Sequence, residues 1–241
     1  MSVPETPSGP STGPVAIAFH LDVMCPWAYQ TSLWIREVRD RGLVDVRWRF
    51  FSLEEVNREE GRKHPWEREW SYGWGMLRVA ARLRRLDGGP DAGGNDLVDR
   101  YYATAGRWLH EEGRKPHSPD AAREVLTEIG LDPGLVDEAL ADPTTTDEVR
   151  ADHEAVLALG AFGVPTLVFP SGRPVYGPVV VPAPTGDEAV ALWDLVVGWD
   201  RFPHLYEIKR PKSAEDLRHI ATAFTPYLRG RDWRSVERPA P

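Results

Sequence analysis

Asp22-Val23-Met24-Cys25-Pro26-Trp27-Ala28-Tyr29 is the stretch that decides the fold, and it holds the one cysteine of the 241-residue chain. Val15-Ala16-Ile17-Ala18-Phe19-His20-Leu21 leads into it as a short apolar run, the mark of a strand ending at Asp22. Behind it, Tyr29 to Val38 contains no Gly or Pro. Leu33, Trp34 and Val38 fall there at helical spacing, which predicts an amphipathic helix. Pro26 then sits in the first helical turn, where its missing N–H costs nothing. Cys25 is thereby placed at the start of a helix, facing unpaired N–H groups and the positive end of the dipole. That setting is expected to stabilise a thiolate and to lower the thiol from its ordinary pKa of about 8.5. A lone cysteine is usually a small buried hydrophobe. The strand–Cys-Pro-Trp–helix context makes Cys25 the candidate nucleophile instead.

Working outward, residues 1–14 are rich in Pro, Ser, Gly and Thr and are expected to be a disordered tail. Gly42 closes the first helix, and Val44-Asp45-Val46-Arg47-Trp48-Arg49-Phe50 alternates at period two as a second strand. Strand, helix and strand in this order make a parallel βαβ unit. From about Leu53 to Gly160 the chain changes to charged helical segments. Helices are expected over Pro65 to about Leu86, Asp96 to about Glu112, after Ser118-Pro119, after Asp132-Pro133, and from about Thr146 to Leu159. Gly88 to Gly94 forms a loop, and the two Xaa-Pro pairs read as N-caps with proline at N1. The strand pattern resumes in Gly163-Val164-Pro165-Thr166-Leu167-Val168-Phe169 and returns in Arg173 to Pro178. Thr185-Gly186-Asp187-Glu188 has the pattern of a capping box opening a helix to about Val197. Lys212 to Leu228 predicts one more helix before a polar tail.

Composition removes several function classes. The net charge is −8 (29 basic against 37 acidic residues), with no basic cluster interleaved with aromatics, so nucleic acid is not an expected partner. Arg36 is the first basic residue, which leaves no charged region for a signal peptide, and Val15–Leu21 is too short to span a bilayer. A cytoplasmic location is the expectation. The seven histidines show no paired ligand spacing, so no metal site is expected. Gly88–Gly94 lacks the strand and lysine of a phosphate loop, and no Gly-x-Ser-x-Gly elbow occurs.

The Cys25-Pro26-Trp27 stretch resembles the active-site motif of the DsbA-like branch of the thioredoxin superfamily, where Cys-Pro-aromatic-Cys follows the first strand. Asp22, Ala28 and Tyr29 resemble the kappa glutathione transferases and 2-hydroxychromene-2-carboxylate isomerases, which carry Ser-Pro-aromatic-Ala-Tyr. Ala28 stands where the dithiol enzymes carry a resolving cysteine. Four further stretches are similar to the mycothiol-dependent reductases, a DsbA-like family with nitroreductase activity. They are Trp74 to Ala80, Gly106-Arg107-Trp108-Leu109-His110, Tyr176-Gly177-Pro178-Val179, and Phe202 to Arg210.

The resemblance implies an α/β, thioredoxin-like fold with an inserted all-helical subdomain. Residues 15–54 and 160–200 would form the thioredoxin-like domain, 55–159 the helical insertion, and 201–241 a C-terminal extension with a helix. It also implies that Pro165 is a cis-proline beside Cys25, with Val164 and Thr166 aligning substrate. Trp66, Trp70 and Trp74 are spaced four apart and are expected on one helix face, as core or as cleft lining. Trp74, Arg78 and His110 are the expected lining of the cleft. The function so implied is a monothiol oxidoreductase in which Cys25 forms a mixed disulfide. An external low-molecular-weight thiol, mycothiol or glutathione, would resolve it, with no tightly bound cofactor. The partners would be that thiol and a disulfide or electrophilic substrate, with a homodimer left open. The alternatives are a kappa-class transferase or isomerase-like enzyme without redox turnover, and a degenerate binding protein.

Overall fold

In the computed structural model, which describes residues 13–89 and 96–231, β1 (Val15–Leu21) and β2 (Val44–Phe50) pair in parallel from Val15↔Val44 to Leu21↔Phe50. Between them runs α1 (Pro26–Asp40), and Gly42 makes the turn at φ +74°, a conformation glycine adopts without cost. The expected disordered tail (residues 1–14) and the Gly88–Gly94 loop fall largely outside the described residues, as does the polar C-terminal tail.

After a short α2 (Leu53–Val56), the chain does not form one helix from Pro65 to Leu86. A 3₁₀ turn covers Pro65–Glu67, Arg68 and Ser71 are extended, and only then does α3 (Tyr72–Leu86) begin. The break removes the expected helical stripe of Trp66, Trp70 and Trp74. The chain folds back so that Trp70 lies on Gly75, where a Cβ would sit 2.6 Å from the ring, while Trp66 packs on Trp74 at 5.0 Å. The Trp70 indole donates to the His117 carbonyl at 2.8 Å.

α4 (Asp96–His110), α5 (Pro119–Glu128), α6 (Leu135–Ala141) and α7 (Thr144–Ala158) follow. Ser118 caps α5 by accepting from Ala121 N–H, with Pro119 at N1. Asp132-Pro133 does not open α6 in the same way. The Asp132 carboxylate turns to the Gly134 N–H at 2.8 Å, and the helix starts at Leu135.

β3 (Thr166–Val168) runs antiparallel to β1, and β4 (Pro174–Tyr176) antiparallel to β3, giving the sheet order β2-β1-β3-β4. α8 (Gly186–Asp200) packs on α1, where the Trp34 indole donates to Ala189 carbonyl at 2.9 Å. The expected capping box is absent, because Thr185 makes no side-chain cap and the Gly186 N–H goes to Glu37 of α1. The single helix expected over Lys212–Leu228 is two. Ser213 and Asp216 cap α9 (Ala214–Ala223) reciprocally, and α10 (Thr225–Gly230) restarts with Pro226 in its first turn.

One cluster of buried side chains runs from Phe19, Leu21, Trp48 and Phe50 on the sheet into α3 and α4 through Trp74, Leu77 and Tyr102. Arg84, fully buried, joins the two. It pairs with Glu148 at 2.7 Å and Asp152 at 2.5 Å on α7 and lies 4.2 Å over the Phe50 ring. Asp152 also accepts from Phe50 N–H, so the end of β2 is held in place. Phe51, next in line, enters a second, smaller cluster around Cys25.

Candidate active site

β1 ends at Leu21, and the buried Asp22 carboxylate turns the chain by accepting from Met24 N–H at 2.9 Å and Leu53 N–H at 2.7 Å. The Cys25 N–H then returns to the Asp22 carbonyl at 3.0 Å. Cys25 occupies the N-cap of α1 in extended conformation, with Pro26 at N1. Its sulfur accepts from Ala28 N–H at 3.4 Å and donates to the Val164 carbonyl at 3.5 Å. Ala28 is fully buried one helical turn along.

The thiol is 4% exposed, enclosed by Ala28, Phe51, Val156, Ala161 and Val164, with Trp27 packed against them. Burial pushes its pKa up to about 12, the Ala28 and Trp27 N–H groups at the helix start pull it down by less, and the nearby Asp22 charge adds to the rise. This corrects the expected lowering. The helix terminus is where the sequence placed it, yet desolvation outweighs it. Burial also raises Asp22 to about 6, against its two backbone hydrogen bonds.

The residues expected around Cys25 divide into two groups. Val164 lies beside it, its carbonyl accepting from the sulfur; the Val164–Pro165 peptide is cis, and Pro165 and Thr166 follow it buried. Thr166 spends its hydroxyl on the Gly163 carbonyl at 2.7 Å. Pro26 and Trp27 flank the thiol on α1. His110 reaches the same loop from α4, its Nε2 donating to the Val23 carbonyl at 2.9 Å, and burial holds it near pKa 4, neutral. Trp74 and Arg78 are not brought to the sulfur. Trp74 is buried in the main core, and Arg78 donates to Thr145 and to the carbonyls of Ala139, Leu140 and Asp142, closing the end of α6.

Other neighbours carried no assignment in the sequence. Tyr29 stacks on His110 at 4.8 Å and donates to Glu111 at 2.5 Å. Phe224 meets Trp27 edge-on at 4.7 Å, and Tyr227 stacks on His110 at 5.4 Å. Asp22 was legible as an acid at a strand end. Phe224 and Tyr227 gave no local signal, since their partners lie far off in the chain. Among the described residues no group of three or more His, Cys, Asp or Glu is placed to hold a metal ion, and no helix is long and apolar enough to cross a membrane.

The arrangement is similar to known proteins over most of its length. The probable DsbA oxidoreductase SCO1869 of Streptomyces coelicolor superposes with a TM-score of 0.54 at 20% identity, over 83% of this chain and 93% of that one. The cytosolic disulfide reductase DsbM of Pseudomonas aeruginosa with GSH gives 0.53 at 15% identity, over 76% of this chain and 100% of its own. A 2-hydroxychromene-2-carboxylate isomerase gives 0.53 at 14% identity, over 77% and 95%. These likenesses show the thioredoxin-like fold with its helical insertion. The uncharacterized protein Rv2286c of Mycobacterium tuberculosis is 50% identical over 222 residues, 92% of this chain and 93% of its own length. The model of the mycothiol-dependent nitroreductase Rv2466c matches residues 24–210, from the residue before Cys25 to the end of the Phe202–Arg210 stretch, and the chain belongs to this Rv2466c-like family.

Proposed function

We propose that the chain is a cytoplasmic monothiol reductase in which Cys25 forms a mixed disulfide that an external low-molecular-weight thiol, mycothiol or glutathione, resolves. One observation carries the reading. The sulfur sits at the start of α1 beside Val164, and the residue one turn on, whose N–H it accepts, is Ala28. Cys25 gives up its proton and attacks one sulfur of a disulfide. That S–S bond breaks, and the departing sulfur leaves as a thiolate that takes up a proton. With no second cysteine in the chain, a free thiol must attack the adducted sulfur and release Cys25. The family's dependence on mycothiol supports that class of thiol. Val164 and Pro165 align the substrate, and no cofactor is tightly bound.

A second reading rests on the hydrogen bond from Sγ to the Val164 carbonyl, which requires a protonated sulfur. A thiol at about 12 could serve as a donor that activates a bound thiol, as in a kappa-class transferase or isomerase. Mass spectrometry separates the two. Reduced protein incubated with the disulfides of mycothiol and of glutathione should gain one thiol on Cys25, and the Cys25→Ser variant none. Absence of the adduct with both would exclude the redox reading.

A further inference from the structure

A buried nucleophile must be uncovered before it reacts, and the segment touching its surroundings from outside is the C-terminal arm. Phe224 packs edge-on against Trp27, which itself packs on Cys25. Tyr227 stacks on His110, whose Nε2 holds the Val23 carbonyl two residues before the thiol. The arm therefore bears on the thiol loop from both sides. Its backbone also sits close to the segment after α4. A Cβ at Gly113 would lie 3.1 Å from the Pro226 carbonyl, and one at Gly230 would lie 2.9 Å from Leu109.

The rest of the arm is loosely held. α9 buries no residue, and every residue from Arg201 to His219 is exposed except the half-buried Leu205. Residues 205–213 form no regular structure, so the arm hangs on an extended tether and can lift without disturbing the core. The family match ends at Arg210, within the tether and before α9.

We infer that Ala214–Gly230 is a size-selective cover of Cys25, with Phe224 and Tyr227 as the specificity-determining residues. It admits small disulfides and thiols and excludes protein disulfides. A small ligand needs only the Trp27–Phe224 ring contact to part. A protein disulfide must bring an extended chain along Val164, and for that α10 has to leave its close seat on residues 109–114. The inference rests on Cys25 being the reacting group, but its test uses alkylation and so does not depend on redox turnover.

In the unmodified full-length chain, N-ethylmaleimide should label Cys25 and a polyethylene-glycol maleimide should label it far more slowly. Equal rates would overturn the cover. In the Phe224→Ala/Tyr227→Ala double variant, labelling by the small reagent should rise about three- to tenfold, the weight of one or two aromatic contacts, and by the large reagent by more than that. Insulin, undetectable as a mixed disulfide with the parent chain, should form one with the variant. Phe224→Tyr, which keeps the ring, should behave as the parent. Labelling that does not change in the double variant, or that rises equally for both reagents, would remove size selection. Should the double variant fail to fold, Phe224→Ala alone takes its place, and an unchanged ratio of the two labelling rates would remove the cover.

Discussion

The sulfur of Cys25 donates to the carbonyl of Val164 across 3.5 Å, joining the start of α1 to a residue two before β3, 139 positions away. That bond exists only while the sulfur keeps its proton. Burial that lifts the thiol to about 12 and the hydrogen bond to Val164 describe the same closed state. Alkylation by iodoacetamide should therefore climb about tenfold per pH unit from pH 7 to 10 without a plateau, since only the thiolate reacts. The folded pKa lies above the unfolded value of about 8.5, so this group's contribution to stability is complete below pH 8.5 and is lost as pH rises toward 12. Relative to Cys25→Ser, the parent chain should lose about 2 kcal/mol between pH 8 and 10 in urea unfolding. An alkylation midpoint at or below about 8.5 would mean that the helix terminus outweighs burial.

Asp22 titrates in the same sense. Its carboxyl, raised to about 6 by burial, contributes stability in full below the unfolded value of 3.8 and loses it as pH rises through 6. Asp22→Asn does not titrate and gives up one of the two backbone acceptors to Met24 and Leu53. The variant should start less stable at pH 4. It should then gain about 3 kcal/mol on the parent by pH 7.5, from a shift of about two units. Denaturant midpoints at the two pH values read this directly. A difference that does not move with pH would show that Asp22 keeps one protonation state throughout.

Gly106 on α4 lets the Tyr29 ring lie against the helix backbone. A methyl there would meet Cε2 of Tyr29 at 2.5 Å, and the ring is fixed by His110, Tyr102 and the bond to Glu111. Helix propensity favours Gly106→Ala by about 1 kcal/mol, while overpacking a fixed ring costs about 1–3 kcal/mol. The variant should be destabilised by up to about 2 kcal/mol. Gly198→Ala on α8, where nothing lies within 4 Å, should be neutral or stabilising. Thermal melts of the pair test the contrast, and a stabilised Gly106→Ala would show that Tyr29 can move.

The elements nearest Cys25 were legible because their signals are local. Period-two alternation marked β2 from Val44 to Phe50, and Cys25-Pro26 marked the start of α1. Val164-Pro165 was placed beside Cys25 by resemblance rather than by any local pattern. What failed were inferences that a distant segment overrides. Spacing put Trp66, Trp70 and Trp74 on one helix, but Trp70 found Gly75 and the His117 carbonyl, and the chain broke to reach them. Arg78, expected as cleft lining, is engaged by the carbonyls ending α6, partners that have no sequence mark. The direction of the Cys25 shift was missed for the same reason. The dipole belongs to α1, whereas the desolvation comes from Phe51, Val156, Ala161 and Val164.

Ala28 is where the chain departs from the dithiol pattern, and it offers the sharpest test of the monothiol reading. Its N–H lies 3.4 Å from the Cys25 sulfur, and its Cβ is buried in the same cluster. Residues one turn apart at a helix start fall within the roughly 4.4–6.8 Å between Cα atoms that a disulfide requires. Ala28→Cys should therefore form a reversible disulfide with Cys25 under mild oxidation. The added sulfur would overfill the cluster around Phe51 and Val156, at a cost of about 1–3 kcal/mol in the reduced form. Oxidation would close the sulfurs together and return part of that. In the parent chain an adduct of Cys25 with a small thiol should persist until external thiol is added. In the variant the second sulfur attacks it intramolecularly, at an effective concentration far above that of any free thiol. The adduct should then discharge without added thiol, leaving the intramolecular disulfide and one equivalent of released thiol. Mass spectrometry of the two proteins after exposure to oxidised glutathione distinguishes these fates. A variant that retains its adduct as long as the parent would show that position 28 does not face the sulfur, and the resolving step would have to be sought elsewhere.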